Sequence, residues 1–167
     1  IFGGVKLGGG EILRNYHNQN TLEQYLSSGK LIPTDLYLKI VLPYLSQSEI
    51  KKKPLVLSSL GRLKGEETVI LEATANSGHP TKAVILLNLR EQEIWQRFEA
   101  LKNECDRGER SDDKSEVLKI RLQEFKEKTL PVIDFYRNNG LLIEVDGALS
   151  RDEVTNEILK NLFKRAI

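Results

Sequence analysis

The residues of this chain best suited to chemistry are arginines that lie beside loops and near the ends of predicted strands. The most informative group is Arg110-Ser111-Asp112-Asp113, followed by Arg121 on the next predicted helix. Arginine presents a planar fork of donors that matches phosphate oxygens, and it stays charged at cellular pH. The two aspartates are equally suited to the positive start of a helix. The motif alone therefore leaves a phosphate site and a simple helix start as alternatives.

Three further arginines extend this pattern. Arg14 follows the turn at residues 8–10, where three glycines allow a ligand to approach the backbone. Arg62 comes directly after residues 58–61, which follow an apolar run, and ligands of open α/β sheets bind beyond the carboxyl ends of strands. Arg97 by itself is typical of an exposed helix residue. Together with the two arginines above, these residues predict a converging polyphosphate site.

Composition narrows the class of protein. The 167 residues suit one domain with its own core. Lysine and arginine number 25 against 24 acidic residues, which argues against a broad basic field for nucleic acid. Cys105 is the sole cysteine, which excludes an internal disulfide and argues against a cysteine-based zinc site. His17 and His79 lack ligand-like spacing, so no metal-ligating residue is predicted.

The same composition bears on location. No apolar run approaches the ~20 residues that span a bilayer, and no secretory signal is recognisable. We therefore expect a cytoplasmic protein with neither a membrane nor a nucleic acid as partner.

Apolar patterns of two periods alternate along the chain. Short runs at residues 55–57, 84–87 and 141–143 are apolar at every position, which is typical of buried parallel strands. Between them, apolar residues recur at helical spacing. Strands that alternate with helices predict an α/β fold with a parallel sheet. The helical sets are Leu36, Ile40 and Leu45; Ile94, Phe98 and Leu101; Leu118, Leu122 and Phe125; and Val154, Ile158 and Leu162.

Three local features bear on the helix limits. Ser150 and Glu153 have the spacing of a capping box for the last helix. Pro131 is expected to kink or end a long helix that starts near Asp112. Residues 67–77 stay ambiguous, because Thr68-Val69-Ile70-Leu71 favours a strand while its surroundings favour a helix.

The first residues raise a topological difficulty. Residues 1–4 resemble the end of one buried strand, and Val5-Lys6-Leu7 resembles part of another. Two parallel strands need a crossover of a dozen or more residues, and none separates these two. Either the seven residues are one strand, or a connecting segment is missing between Gly3 and Gly8.

Several motifs in order resemble those of adenylate kinases and their nucleoside monophosphate kinase relatives. The similarity runs from about Gly8 to the C-terminus and is most specific in the final third. Gly9-Gly10-Glu11-Ile12-Leu13-Arg14 resembles Thr-Gly-Asp-x-Leu-Arg, Gly29-Lys30-Leu31-Ile32-Pro33 resembles Gly-x-Leu-Val-Pro, and residues 56–62 resemble Leu-Leu-Asp-Gly-Phe-Pro-Arg. Arg110-Ser111-Asp112-Asp113 with Arg121-Leu122 resembles the family's Arg-x-Asp-Asp and Lys-Arg-Leu pattern. Thr129-Leu130-Pro131-Val132-Ile133 and Val145-Asp146-Gly147 resemble its closing segments.

The resemblance implies a particular fold. This is a three-layer α/β/α arrangement with a five-stranded parallel sheet, the P-loop NTPase-like fold of nucleoside monophosphate kinases. Residues 1–167 would be a single domain with its core at 1–7, 51–103 and 112–167. An AMP-binding helical insert would occupy about 8–50, and a short lid about 104–111.

The resemblance also implies an activity and its residues. The expected reaction is reversible, Mg²⁺-dependent phosphoryl transfer from ATP to AMP, giving two ADP, in a monomer without zinc. Arginines suit this reaction because it depends on positioning and charge neutralisation. The implied catalytic residues are Arg62, Arg110 and Arg121; the AMP side comprises Gly9, Gly10, Arg14, Leu31, Ile32, Arg62 and Glu66; and the ATP side comprises Arg97 and Leu149.

The sequence departs from the family pattern at three informative places. The P-loop pattern Gly-x-x-Gly-x-Gly-Lys is absent, which favours the missing segment described above. Ser58 stands where the family has an aspartate, and Glu66 stands where it has an adenine-reading glutamine. Two alternatives therefore remain: a non-catalytic nucleotide-binding relative without a P-loop, and a kinase for UMP or CMP.

Overall fold

The structure is a computed structural model, and it describes residues 3–16, 19–47, 50–103 and 114–166. Arg110, the two aspartates of the opening motif, Cys105 and His17 lie outside the described residues, as does the predicted lid. The predictions that rest on them stay predictions.

Four short strands in the described residues pair in parallel. They are β1 (Val5–Gly8), β2 (Leu55–Ser58), β3 (Val84–Asn88) and β4 (Leu142–Asp146). β1 pairs with β2 so that Val5 lies opposite Leu55, and β3 pairs with β4 so that Val84 lies opposite Leu142. The prediction of an α/β fold with parallel strands is therefore confirmed, and the three apolar runs lie in β2, β3 and at the start of β4.

Helices occupy most of the remaining described residues. The four predicted helical sets all fall in helical segments, with Leu45 in a 3₁₀ turn and Phe125 in a π-helical turn. None of the helices that the structure describes is long and apolar enough to cross a membrane. The segments are α1 (Gly9–Arg14), α2 (Gln19–Ser28), α3 (Thr34–Val41), the 3₁₀ turn (Leu42–Ser46), α4 (Glu66–Asn76), α5 (Glu91–Asn103), α6 (Ser115–Glu124), the π-helical turn (Phe125–Thr129), α7 (Leu130–Asn138) and α8 (Arg151–Ala166).

The described residues divide into two compact units. Unit 1 comprises those within Ile1–Thr81 and Ser111–Phe135 and contains the sheet β1-β2. Unit 2 comprises those within Lys82–Arg110 and Tyr136–Ile167 and contains the sheet β3-β4.

The core of unit 1 is built mainly by the helices of the first half of the chain. Leu7, Leu55 and Leu57 of the two strands pack against it. Burial of each such aliphatic side chain stabilises the fold by about 1.5–3 kcal/mol. The buried members are Ile12, Leu13, Leu22, Ile32, Tyr37, Ile40, Val41, Leu45 and Ile70.

Unit 2 packs around one face of β4. Ile143 and Val145 alternate along that strand and are buried, as is Tyr136 on α7. The guanidinium of Arg165 on α8 donates to the carbonyl oxygens of Gly140 and Leu141, at 2.9 Å each. These bonds fix the last helix to the turn before β4.

The start of the chain pairs with a strand far along the sequence. β1 lies beside β2, and α1 begins at the residue after β1. Residues 9–54, with α1, α2 and α3, supply the crossover that this parallel pair requires. The missing segment between Gly3 and Gly8 stays a prediction, and the P-loop pattern is absent from the 167 residues.

The ambiguous stretch at residues 67–77 is helical. Residues 68–71 have strand-forming side chains, but Ile70 and Thr74, four residues apart, are both buried on one face of α4. Tertiary packing of that face decides against the local preference for a strand.

Pro131 interrupts the long helix without ending it. The π-helical turn at Phe125–Thr129 precedes it, and α7 continues to Asn138. A proline ring clashes with the carbonyl group four residues earlier, here that of Glu127, which lies within this turn. The wider π-helical turn is the local distortion that accommodates the ring.

The strands are less buried than their sequences predict. Val56 is 59% exposed, and Ile85 and Leu87 are 39% and 50% exposed. Because side chains alternate between the two faces of a strand, the described elements cover only one face of β2 and β3. The prediction of fully buried strands is therefore corrected for these residues.

Candidate functional site

The loop after β2 has an unusual backbone. Ser59 and Gly61 have φ values of 64° and 66°. Positive φ is uncommon for a residue with a side chain, so neighbouring groups must hold Ser59 in place. The Tyr37 hydroxyl on α3 donates to the Ser59 carbonyl oxygen at 3.0 Å. This bond links the loop that carries Arg62 to a helix of the predicted AMP side.

Gly9, at the start of α1, lies against the same loop. A methyl group at this position would lie 2.9 Å from the Ser59 carbonyl oxygen and 3.0 Å from the Tyr37 hydroxyl. Only glycine allows this approach, because real Cβ contacts are longer. The start of α1, the loop after β2 and α3 therefore meet at one place in unit 1.

Gly10 lies beside the side chain of Arg14. A methyl group at Gly10 would lie 3.4 Å from Nη1 and 3.5 Å from Nη2 of Arg14. The guanidinium, on the last turn of α1, thus folds back toward the first turn of the same helix. Two predicted AMP-side residues are neighbours here.

Glu66 holds the loop that carries Arg62. Its Oε2 accepts hydrogen bonds from the backbone N–H of Arg62 at 3.0 Å and of Leu63 at 3.1 Å. Burial raises the pKa of Glu66 because it disfavours the charged form, and these hydrogen bonds and the nearby Arg62 only partly oppose it.

The segment at residues 29–33 is fixed to α6. Gly29 has φ of 77°, and a methyl group there would lie 2.8 Å from Val117 Cγ1 and 3.1 Å from Arg121 Cγ. The Leu31 N–H donates to Oε2 of Glu124 at 3.1 Å. Burial raises the pKa of Glu124, but hydrogen bonds from Lys128 and Leu31 outweigh it, and the pKa is lowered.

The two predicted adenine-side residues of this segment differ in environment. Ile32 is 6% exposed and belongs to the core of unit 1. Leu31 is half-buried. Of the two, only the side chain of Leu31 keeps substantial accessible surface for a ligand.

Unit 2 contains the two predicted ATP-side residues. Nη2 of Arg97, on α5, donates to the Gly147 carbonyl oxygen at 2.6 Å. The Gly147 N–H donates to the Asn88 carbonyl oxygen at 2.7 Å. Leu149 follows two residues later and is half-buried. The guanidinium of Arg97 and the loop after β4 are therefore in direct contact.

Short contacts within unit 1 thus involve the segments that carry most of the predicted AMP-side residues. Sequence reasoning missed two residues that make these contacts, Tyr37 and Glu124. Glu124 lies one helical turn after Arg121, a spacing that could have indicated a shared face. No group of three or more His, Cys, Asp or Glu residues suited to a metal ion occurs among the described residues.

Comparison with known proteins identifies the family. The family model for adenylate kinase matches residues 1–141. An adenylate kinase of Leptospira biflexa is 28% identical over 158 residues, which is 92% of this chain and 83% of that protein. One of Deinococcus deserti is 29% identical over 166 residues, which is 95% of this chain and 83% of that protein. One of Parvibaculum lavamentivorans is 30% identical over 159 residues, covering 92% and 77% of the two chains.

These matches agree with the parallel α/β architecture and with Arg62 in the loop that follows β2. Such proteins are nucleoside monophosphate kinases, which are phosphotransferases. The chain belongs to the adenylate kinase family.

Proposed function

We propose that the chain transfers a phosphoryl group reversibly between ATP and AMP and so produces two ADP. Membership of the adenylate kinase family supports this reaction. The observation that carries it is the network of unit 1, which joins Gly9, the loop bearing Arg62 and the start of α3. Those are the segments that the family uses for AMP.

The reaction is an in-line displacement at the γ-phosphorus of ATP. An AMP phosphate oxygen forms a new P–O bond, the bond to the β,γ-bridging oxygen breaks, and the electron pair leaves with ADP. Such transfer depends on positioning and on neutralising charge. We assign Arg14 and Arg62 to the AMP phosphate, and Arg110 and Arg121 to the transferring phosphoryl group.

The remaining binding residues divide between the two nucleotides. Gly9, Gly10, Leu31, Ile32 and Glu66 are assigned to the AMP side. Arg97 and Leu149 are assigned to the ATP side, and the contact of Arg97 with Gly147 supports a shared location for them.

Mg²⁺ is proposed to accompany ATP, as is general in this family. The ion usually binds through one or two carboxylates together with substrate phosphates. Ser58 stands at the end of β2 where the family has an aspartate, and its hydroxyl is a weaker cation ligand than a carboxylate. The residue at this position does not fit the usual site, so no step of the mechanism is derived through the ion.

The proposed fold goes beyond the two sheets that the structure describes. We propose a three-layer α/β/α domain with a five-stranded parallel sheet, a core at 1–7, 51–103 and 112–167, a helical insert at about 8–50 and a short lid at about 104–111. The exposed apolar side chains of β2 and β3 support a more extensive sheet. A cytoplasmic monomer fits the single cysteine and the net charge of +1.

The assignment of Arg121 provides the test. In a coupled assay with ATP and AMP, Arg121→Ala should lower turnover about 10²-fold or more, because one donor to the transferring group is lost. Lys119→Ala, an exposed change on the same helix, is the matched control and should leave turnover unchanged. Equal turnover of both variants would overturn the role of Arg121.

A substrate panel separates the related activities. We expect AMP to be the preferred acceptor over UMP and CMP. Preference for a pyrimidine monophosphate would assign the chain to UMP/CMP kinases. AMP binding by the wild-type chain without any turnover would support a non-catalytic relative.

A further inference from the structure

Glu66 is a buried acid whose hydrogen-bond partners are backbone groups of the loop that carries Arg62. It is 3% exposed. The backbone N–H groups of Arg62 and Leu63 donate to one of its oxygens, at 3.0 and 3.1 Å. One buried carboxyl group therefore holds two successive backbone groups of this loop.

The next residue makes a useful comparison. Glu67 is also buried, at 6% exposure, and also accepts a backbone hydrogen bond. Its partner is the N–H of Gly65, at 2.6 Å, which immediately precedes its own helix. Burial of an acid at the start of α4 therefore does not by itself hold Arg62. Of the two acids, Glu66 is the one that bonds to the Arg62 backbone.

These contacts limit what Glu66 can do for a nucleotide base. An ionised carboxylate only accepts hydrogen bonds, and Oε2 of Glu66 already accepts two from the backbone. A carboxyl group buried to this extent and bonded to the backbone acts on the position of neighbouring protein groups. Its effect on a ligand is then transmitted through the position of Arg62.

We propose that Glu66 is a positioning residue for AMP, which fixes Arg62 through the backbone of its loop and does not read the base. This inference rests on the proposed function and deepens it. It reassigns the residue that aligns with the adenine-reading glutamine of the family. Base preference in this chain then depends on other groups of the site.

Three variants of the 167-residue chain test this role. Glu66→Ala removes the acceptor, Glu66→Gln keeps one carbonyl oxygen that can accept both N–H groups, and Glu67→Ala is the matched control. The measurements are amide exchange at Arg62 and Leu63, and equilibrium binding of AMP, ATP, GMP, UMP and CMP.

For Glu66→Ala, we expect faster amide exchange at both positions and about tenfold weaker AMP binding, with ATP affinity unchanged. The size follows from loss of two buried backbone hydrogen bonds. Glu66→Gln should restore AMP affinity to within about threefold of wild type and keep the same order of base preference. Glu67→Ala should bind AMP as wild type does. If Glu66→Ala does not fold, Glu66→Asp, whose carboxylate is one methylene shorter, takes its place with the same expected direction.

Different results would overturn this inference and the proposed function. Altered base preference in Glu66→Gln with normal amide exchange would show that Glu66 reads the base, and would overturn the inference. Unchanged AMP affinity in Glu66→Ala, or in Glu66→Asp where it replaces the alanine variant, would do the same. Absence of AMP binding by the wild-type chain would instead overturn the proposed function, and this inference with it.

Discussion

The loops that follow β2 and β4 both leave the carboxyl end of a parallel strand, yet different contacts hold them. The loop after β2 is held by two buried side chains from helices. Tyr37 on α3 bonds to Ser59, and Glu66 on α4 bonds to the backbone of Arg62. Tyr37 is 22 residues distant in sequence from Ser59. The conformation of this loop therefore depends on packing between elements.

The loop after β4 is held mostly by its neighbours in sequence. Oδ1 of Asp146 accepts from the Ala148 N–H at 2.8 Å. The Ser150 N–H donates to Glu153 Oε2 at 3.0 Å, and the Ser150 hydroxyl accepts from the Glu153 N–H at 3.3 Å. This reciprocal pair is the predicted capping box, which is confirmed. Two contacts more distant in sequence reach Gly147: Arg97, 50 residues away, donates to its carbonyl oxygen, and its N–H donates to the Asn88 carbonyl oxygen.

This difference has a consequence for substitutions. A loop held by distant side chains is sensitive to changes in other elements, whereas a loop held by its own caps tolerates them. The predictions below test this contrast, in decreasing order of expected effect.

Gly9→Val should have the largest effect, because it places side-chain atoms where the loop after β2 approaches α1. The Cβ would lie 2.9 Å from the Ser59 carbonyl oxygen. We expect the free energy of unfolding to fall by about 2–3 kcal/mol, as overpacking usually costs. Chemical denaturation measures this loss. Gly10→Ala is the control, since its Cβ meets only the flexible end of Arg14 at 3.4 Å and should be tolerated. Equal losses in both variants would contradict the close contact at Gly9.

Tyr37→Phe should destabilise the protein by about 1 kcal/mol, the net value of a typical hydrogen bond. The ring stays buried, while the bond to the Ser59 carbonyl oxygen is lost. AMP affinity should fall as well, since the loop bearing Arg62 becomes less ordered. Thermal unfolding and AMP titration give the two readouts. A loss of stability without any change at the amides of residues 59–63 would argue against a role in holding the loop.

Ser150→Ala should cost about 0.5–1 kcal/mol, because one half of the capping box disappears. The effect should be confined to the start of α8, and AMP affinity should match that of wild type. Hydrogen exchange of the first turn of α8 measures it. Ser150→Thr keeps the hydroxyl and serves as the control. Weakened AMP binding in Ser150→Ala would contradict the local character of this loop.

The two loops should also differ in the sign of their pH dependence. Burial raises the pKa of Glu66 above its ordinary value of 4.5. Its contribution to stability is therefore complete below that value and is lost as the pH rises through the folded-state pKa. Hydrogen bonds from Ser150 lower the pKa of Glu153, so its contribution is present above the ordinary value and is lost as the pH falls through the folded-state pKa.

Denaturation of Glu66→Gln and Glu153→Gln across pH 3 to 8 tests these opposite pH dependences. We expect these effects to be the smallest of the predicted ones. Glu66→Gln should gain stability relative to wild type toward neutral pH. Glu153→Gln should lose stability relative to wild type toward neutral pH and approach it in acid. Parallel pH profiles of the two variants would contradict the assigned environments.

Much of the architecture could be predicted from periodicity. The helical sets, the three apolar runs and the capping box at Ser150 all depend on residues close together in sequence, and the structure confirms them. Residues 68–71 could not be assigned in this way, because their local preference for a strand is opposed by burial of Ile70 and Thr74 on a helix. The pairing of β1 with β2, 50 residues away, could not be predicted, because it has no local signal in the sequence.

The candidate site also has features that the sequence predicts and features that only the tertiary structure decides. Its arginines and glycines, and the order of its motifs, are properties of the sequence, and the family follows from them. The approach of Gly9 to Ser59, the packing of Gly29 against Arg121, and the bond from Tyr37 to Ser59 were decided by the tertiary structure. Local patterns specify elements because their interactions span a few residues, and the bonds from Arg62 and Leu63 to Glu66 are of this kind. The contacts of the loop with α1 and α3 join residues from separate elements, and only packing of the whole unit brings them together.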